Sequence, residues 1–150
     1  MNFMKKKIEN AKDLEYCILS CILINPELME KVTLEDKYFT RSNRMWQFMK
    51  AFYQKFKNFD INLMYSVCKD KYQIITMVEI LLDYDAIPSN FKKYQKQLVE
   101  LYDEENYEKM MINKIFEKAN ELYVRNININ DFKKYIDELY NKEKLKDEFK

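Results

Sequence analysis

Apolar side chains fall almost all the way round a helical wheel over residues 13–24, DLEYCILSCILI, once the first turn is passed. Such a segment predicts a helix packed on every side inside a small domain rather than one lying on its surface. Asp13 suits the start, where a negative charge meets the positive end of the helix. Asn25-Pro26-Glu27 reads as an N-cap, a first-turn proline and a first-turn acid, which predicts a short second helix from Pro26 to Val32. Thr33-Leu34-Glu35-Asp36 is a further capped turn leading to Tyr38-Phe39. Over 41–57, Met45, Phe48, Met49, Phe52 and Phe56 recur at steps of three and four, a helical stripe with Trp46 beside it. Asn58 is expected to end that helix in the left-handed conformation. Asp60 is expected to cap the next, from Ile61 to Lys69. Residues 72–82, YQIITMVEILL, carry enough β-branched side chains to suggest a strand. No second strand-like run exists to pair with it, so the segment is read as a helix.

Beyond the connection at Pro88, with Ser89 or Asn90 as cap, no helix breaker occurs from Phe91 to Val124. Phe91, Tyr94, Leu98 and Leu101 make one stripe, and Met111, Ile115, Ala119 and Leu122 continue it after a polar stretch at 103–106. One helix of about 34 residues would extend roughly 50 Å at 1.5 Å per residue, too long for a small head to pack throughout. Either it breaks at 103–106 or its far half leaves the head. Arg125–Asn130 reads as a turn, and Asn130 or Asp131 as the cap of a last helix with Phe132, Tyr135, Ile136, Leu139 and Tyr140 apolar. The two segments read as an antiparallel helical hairpin. The expected fold is all-α: a flexible N-terminus over 1–12, a helical head over 13–90, a hairpin over 91–143 and a frayed tail over 144–150.

Composition narrows the chemistry. The 150 residues contain no glycine, where about ten are usual, and no histidine. Without glycine there is no phosphate loop, no dinucleotide-binding turn and no nucleophile elbow. Without histidine the common zinc motifs and the Ser-His-Asp triad are excluded. No catalytic residue, metal ligand or cofactor is therefore assigned. Lys and Arg number 26 against 25 Asp and Glu, a balance that argues against a bulk electrostatic grip on nucleic acid. Lys5-Lys6-Lys7 reads as a solvated start, and Asp83 with Asp85 and Glu104 with Glu105 as solvated faces. Tyr94 among Lys92, Lys93 and Lys96 is a pattern able to stack on single strands, opposed by the acids at 100–105. Cys17, Cys21 and Cys68 make an odd set with no secretory signal ahead of them, which points to a reducing, cytoplasmic compartment. Cys17 and Cys21 share a helix face and read as small buried apolar side chains. The longest apolar run, Cys17–Ile24, is too short to span a membrane.

The ordered set of these pieces resembles the N-terminal collar domain of DnaB-type replicative DNA helicases. Residues 15–28, EYCILSCILINPEL, resemble that family's first helix: a glutamate, an apolar run and a D-P-E-like turn, here Glu15, Leu19–Leu23 and Asn25-Pro26-Glu27. Tyr38-Phe39 resembles its F-Y pair, Met45-Trp46 its following I-F pair, and Phe59-Asp60 the I-D that opens its next helix. Ala86-Ile87-Pro88-Ser89, followed by Tyr94, matches its connection into the hairpin. Two positions depart: Ser20 stands where the family commonly has Gly, and Ser42 where it often has His. Ser20 needs more room where two helices cross.

The resemblance implies a domain that self-associates and docks primase and helicase loaders, without hydrolysing ATP. The expected function is a non-catalytic protein-interaction module of DNA replication. It would form a homo-oligomer, foremost a dimer, and bind a replicative helicase, primase or helicase loader, as a phage or mobile-element factor, with weak or absent direct DNA binding. The alternatives are the excised N-terminal domain of an intact ATP-dependent helicase, the helicase-binding domain of a primase, and a generic helical nucleic-acid binder. The candidate interaction residues are Met111, Ile115, Leu122, Phe132, Tyr135 and Leu139. Either the two hairpin helices pack this stripe on each other, or part of it meets a second subunit or partner.

Overall fold

The computed structural model describes residues 5–68 and 71–148. α1 (Ala11–Ile24) begins two residues before Asp13, because Asn10 takes the cap: its side-chain oxygen accepts from the Asp13 N–H at 2.9 Å. Asp13 answers by accepting from the Glu9 N–H at 2.9 Å, a reciprocal arrangement that satisfies two backbone donors. The helix is buried on all sides, with Cys17, Ile18, Leu19, Ser20, Cys21 and Ile22 wholly inaccessible. Each aliphatic side chain so buried contributes about 1.5–3 kcal/mol of transfer free energy.

Around it, Pro26–Lys31 and Asp36–Tyr38 form 3-10 turns, and α2 (Asn43–Phe56) follows. Met45, Trp46, Met49 and Phe52 are buried, and Trp46 stacks on Phe39 with ring centroids 4.4 Å apart. α2 ends one residue earlier than the sequence suggests. Lys57, not Asn58, takes the left-handed conformation at φ 59°, its N–H bonding the Tyr53 carbonyl. Asn58 instead accepts from the Asp60 N–H, and Asp60 caps α3 (Ile61–Val67) by accepting from the Leu63 N–H at 2.9 Å. The expected extension of α3 to Lys69 reaches outside the described residues.

α4 (Lys71–Leu82) is a helix in spite of its β-branched residues, and packs on α1 through buried Val78 and Leu81. Among the described residues no strand forms. The one extended pairing is a bridge between Lys6 and Tyr84, with Lys6 N–H donating to Asp83 O and Asp85 N–H to Lys6 O. The start of the chain is thus tied down from Lys5 onward, where the Lys5 ammonium also bonds the Leu82 carbonyl. The rest of the segment expected to be loose, residues 1–4, lies outside the described residues.

After a Pro88–Asn90 turn, α5 (Phe91–Tyr123) runs unbroken for 33 residues, straight through the polar stretch at 103–106. Glu, Lys, Gln and Met are good helix formers and no Pro or Gly interrupts them. Its first part is core: Phe91, Tyr94, Gln95 and Leu98 are buried. Gln95 accepts from the Thr33 N–H at 2.8 Å and donates to the Lys31 carbonyl, holding the loop after the first turn against the helix. α6 (Ile129–Glu148) follows. The chain divides into two compact units that part inside α5, between Asp103 and Glu104. Among the described residues no helix is long and apolar enough to cross a membrane.

Candidate interaction surface

The second unit is the C-terminal part of α5, a turn and α6. Arg125, at φ 64°, stands where glycine would be easiest. Asn126 N–H bonds the Glu121 carbonyl and Arg125 N–H the Leu122 carbonyl, the paired closure of a Schellman end. The cap of α6 is Asn128, two residues before the first position expected. Asn128 accepts from the Asp131 N–H at 2.8 Å, while the Asp131 carboxylate accepts from the Asn128 N–H at 3.2 Å. Across this turn the Lys118 ammonium lies 5.0 Å from the centroid of the Tyr135 ring, and also pairs with Glu121 at 3.1 Å.

The six stripe residues all fall in this unit but do not share one environment. Leu139 is buried at 7% exposure; Met111, Leu122, Phe132 and Tyr135 are half-buried; Ile115 is exposed. More exposed than Ile115 are apolar side chains outside the six, among them Ile112, Phe116 at 69%, Tyr123 at 85% and Tyr140. Ile112, Phe116 and Tyr123 are spaced by four and seven, so they share one face of α5. The stripe that continues from the core part of α5 and this second one obey the same periodicity, so the sequence does not single out the second. Only burial tells the two apart.

The first unit holds the strongest polar constellations, and all of them tie elements together. Glu15 on α1 is fully buried. Its carboxylate accepts from the Arg41 N–H at 2.9 Å, the Ser42 hydroxyl at 2.9 Å, the Ser42 N–H at 3.2 Å and the Arg41 guanidinium at 3.3 Å. That set fixes the entry to α2, and Ser42 supplies two of the donors. Asp13 is buried too. Burial opposes its ionisation, but the Tyr84 hydroxyl donating at 2.7 Å, the Glu9 N–H and the Lys6 ammonium outweigh that and hold its pKa below the ordinary carboxylate value. Burial and the hydrogen bond to Asp13 push the Tyr84 hydroxyl upward. Asp36, at the surface, accepts from Lys50 at 2.7 Å, the Trp46 indole at 2.8 Å and Gln47 at 3.1 Å, which brings its pKa down to about 2.

No group of three or more acids and cysteines able to hold a metal occurs among the described residues. Asp83 and Asp85 contribute their backbone to the Lys6 bridge. Tyr94 is buried, its hydroxyl accepting from the Ile87 N–H, so its ring does not join Lys92, Lys93 and Lys96 in a stacking row. Cys17 and Cys21 lie wholly inside α1's packing. The hydrogen bond between them and burial push the Cys21 thiol far up. Cys68 is half-buried.

No curated protein and no solved structure matches the chain. The sequence profile of the DnaB-like helicase N terminal domain matches residues 7–100, which takes in α1 through the core part of α5 and stops short of the second unit. That span exceeds half of the 150 residues, and the chain belongs to the DnaB-like helicase N-terminal domain family.

Proposed function

We propose that this protein is a non-catalytic docking module of DNA replication. It self-associates through its second unit and binds a replicative helicase, a primase or a helicase loader in the cytoplasm, acting as a phage or mobile-element helicase-binding factor. The observation that carries the reading is the unpartnered apolar face of Ile112, Phe116 and Tyr123, in a chain of this family. These three side chains are exposed on one face of α5, and exposed apolar surface of this kind marks interaction sites. A symmetric pair of copies, each laying the face on the other, is the simplest closed arrangement.

The test uses residues that the first unit's packing does not need. Phe116→Asp with Tyr123→Asp is expected to convert a dimer to a monomer by light scattering while leaving the far-ultraviolet circular dichroism unchanged. A parent protein that stays monomeric at every concentration overturns self-association. Affinity capture from the host is expected to bring down helicase or primase. The absence of ATPase activity belongs to the same reading, and ATP turnover by the purified chain refutes it.

A second reading is the N-terminal domain of an intact ATP-dependent helicase, favoured by the same family match. A phosphate-loop motor encoded in frame after Lys150 decides for it.

A further inference from the structure

A groove of about 710 Å³ runs between α2 and α4 in the first unit, within the size range of specific binding clefts. Its apolar lining includes Met45, Phe48 and Met77, and Tyr72 stands on its wall at 81% exposure. An exposed tyrosine beside partly buried methionine and phenylalanine is a surface that gains by being covered. The charges around it are one-sided. Arg41 and Arg44 line the groove near the start of α2, and no Asp or Glu does so among the described residues. Arg41 is held by Glu15, so the exposed cation at this end is Arg44. An apolar floor with a positive end fits an apolar segment carrying negative charge.

We propose that this groove docks an acidic amphipathic helix of a partner protein, its apolar stripe laid on Met45, Phe48 and Met77 and its carboxylates facing Arg44. A helix is the matching shape because both walls are helices and no sheet edge exists among the described residues to accept a strand. The apolar floor disfavours a nucleic-acid strand, whose phosphates need a row of cations. The inference rests on the reading of the chain as a docking module. It adds to that reading a second contact surface, in the other unit, and the chemistry of its occupant.

Cys68 lines the groove and is the accessible thiol beside two buried ones, so it reports occupancy. A displayed library of helical peptides panned against the full 150-residue chain supplies the probe. Enriched peptides are expected to carry apolar residues at i, i+3 or i+4 and i+7 with Asp or Glu towards one end. Binding should slow alkylation of Cys68 by iodoacetamide. Arg44→Glu and Tyr72→Glu, both at exposed positions, should each weaken the peptide about tenfold with an unchanged melting curve. A peptide with Lys in place of its acids should regain affinity for Arg44→Glu. The proposal is overturned by a library that yields no binder, by binders without acids, by unchanged Cys68 alkylation in the complex, or by full affinity in both variants. It is overturned equally if a thymidine oligonucleotide protects Cys68 and the peptides do not.

The two readings fail separately. Peptide binding retained in the Phe116→Asp, Tyr123→Asp variant with no replication protein captured leaves the groove standing and removes the replication role. Partner capture and dimerisation that survive Arg44→Glu and Tyr72→Glu, with no groove peptide, remove the groove alone.

Discussion

Ser20 is buried in the middle of α1 with a hydroxyl that has no hydrogen-bond partner. A buried unsatisfied hydroxyl costs about 1–3 kcal/mol, and alanine is the better helix former. Ser20→Ala is expected to raise stability by about 1 kcal/mol in urea unfolding. Ser20→Gly, which restores the residue common in the family, gains less because glycine costs about 1 kcal/mol within a helix. Arg125 illustrates the opposite strain. Left-handed backbone costs a side-chain-bearing residue about 1–2 kcal/mol, part of which glycine returns through its freer unfolded state. Arg125→Gly should therefore raise the melting midpoint by about 2 °C. Lys57→Gly should gain less, since it also removes the ammonium held 4.9 Å from the Tyr53 ring centroid. Both positions follow from a chain without glycine: its helices still need left-handed ends, and longer side chains have to supply them.

Elements are joined here by carboxylates at helix entrances. Glu15 receives the start of α2, Asp13 the connection after α4, and Asp36 ties its 3-10 turn to Trp46 and Lys50 on α2. The depressed pKa values of Asp13 and Asp36 give their two ties a pH dependence. A carboxyl that ionises more easily in the folded than in the unfolded chain stabilises fully above its unfolded pKa, about 4. That stabilisation is lost as pH falls through the folded value. For Asp36 the window is pH 4 down to about 2, and Asp13 acts in the same direction. The urea midpoint should fall as pH drops through that window, and Asp36→Asn should flatten part of the slope; a slope identical in the variant would show that the tie contributes nothing. The same element scale explains α5. The polar stretch at 103–106 allows a break, yet backbone propensity favours continuation and no Pro or Gly opposes it, so α5 runs unbroken through it.

For the whole molecule, the two units carry separate cores. Trp46, the chain's single tryptophan, is buried in the first, and Leu139 in the second. Leu139→Ala is expected to cost about 2 kcal/mol and to lower the urea midpoint followed by circular dichroism. The Trp46 fluorescence midpoint should stay in place. Coincident shifts of both probes would show one cooperative core. The family match ends at residue 100, so the functional face proposed on the second unit stands on its exposed side chains rather than on that match.

Helical class, the order of the pieces and some of their ends, such as the Asp60 cap, were legible in the residues alone. Periodicity and capping are local, and Asp60 and Pro26 act within a turn of themselves. The sequence also excluded the glycine- and histidine-dependent chemistries outright. Tertiary structure decided what local pattern cannot carry. Glu15 becomes a hub only because residues 26 positions away fold over it, and Tyr94 leaves its lysines for the core. On α5, two apolar stripes of equal period differ only in which one finds neighbours. Met111 and Leu122 are drawn in, while Phe116 and Tyr123 are left to water, because burial is a property of what packs against a face and not of the face's own sequence.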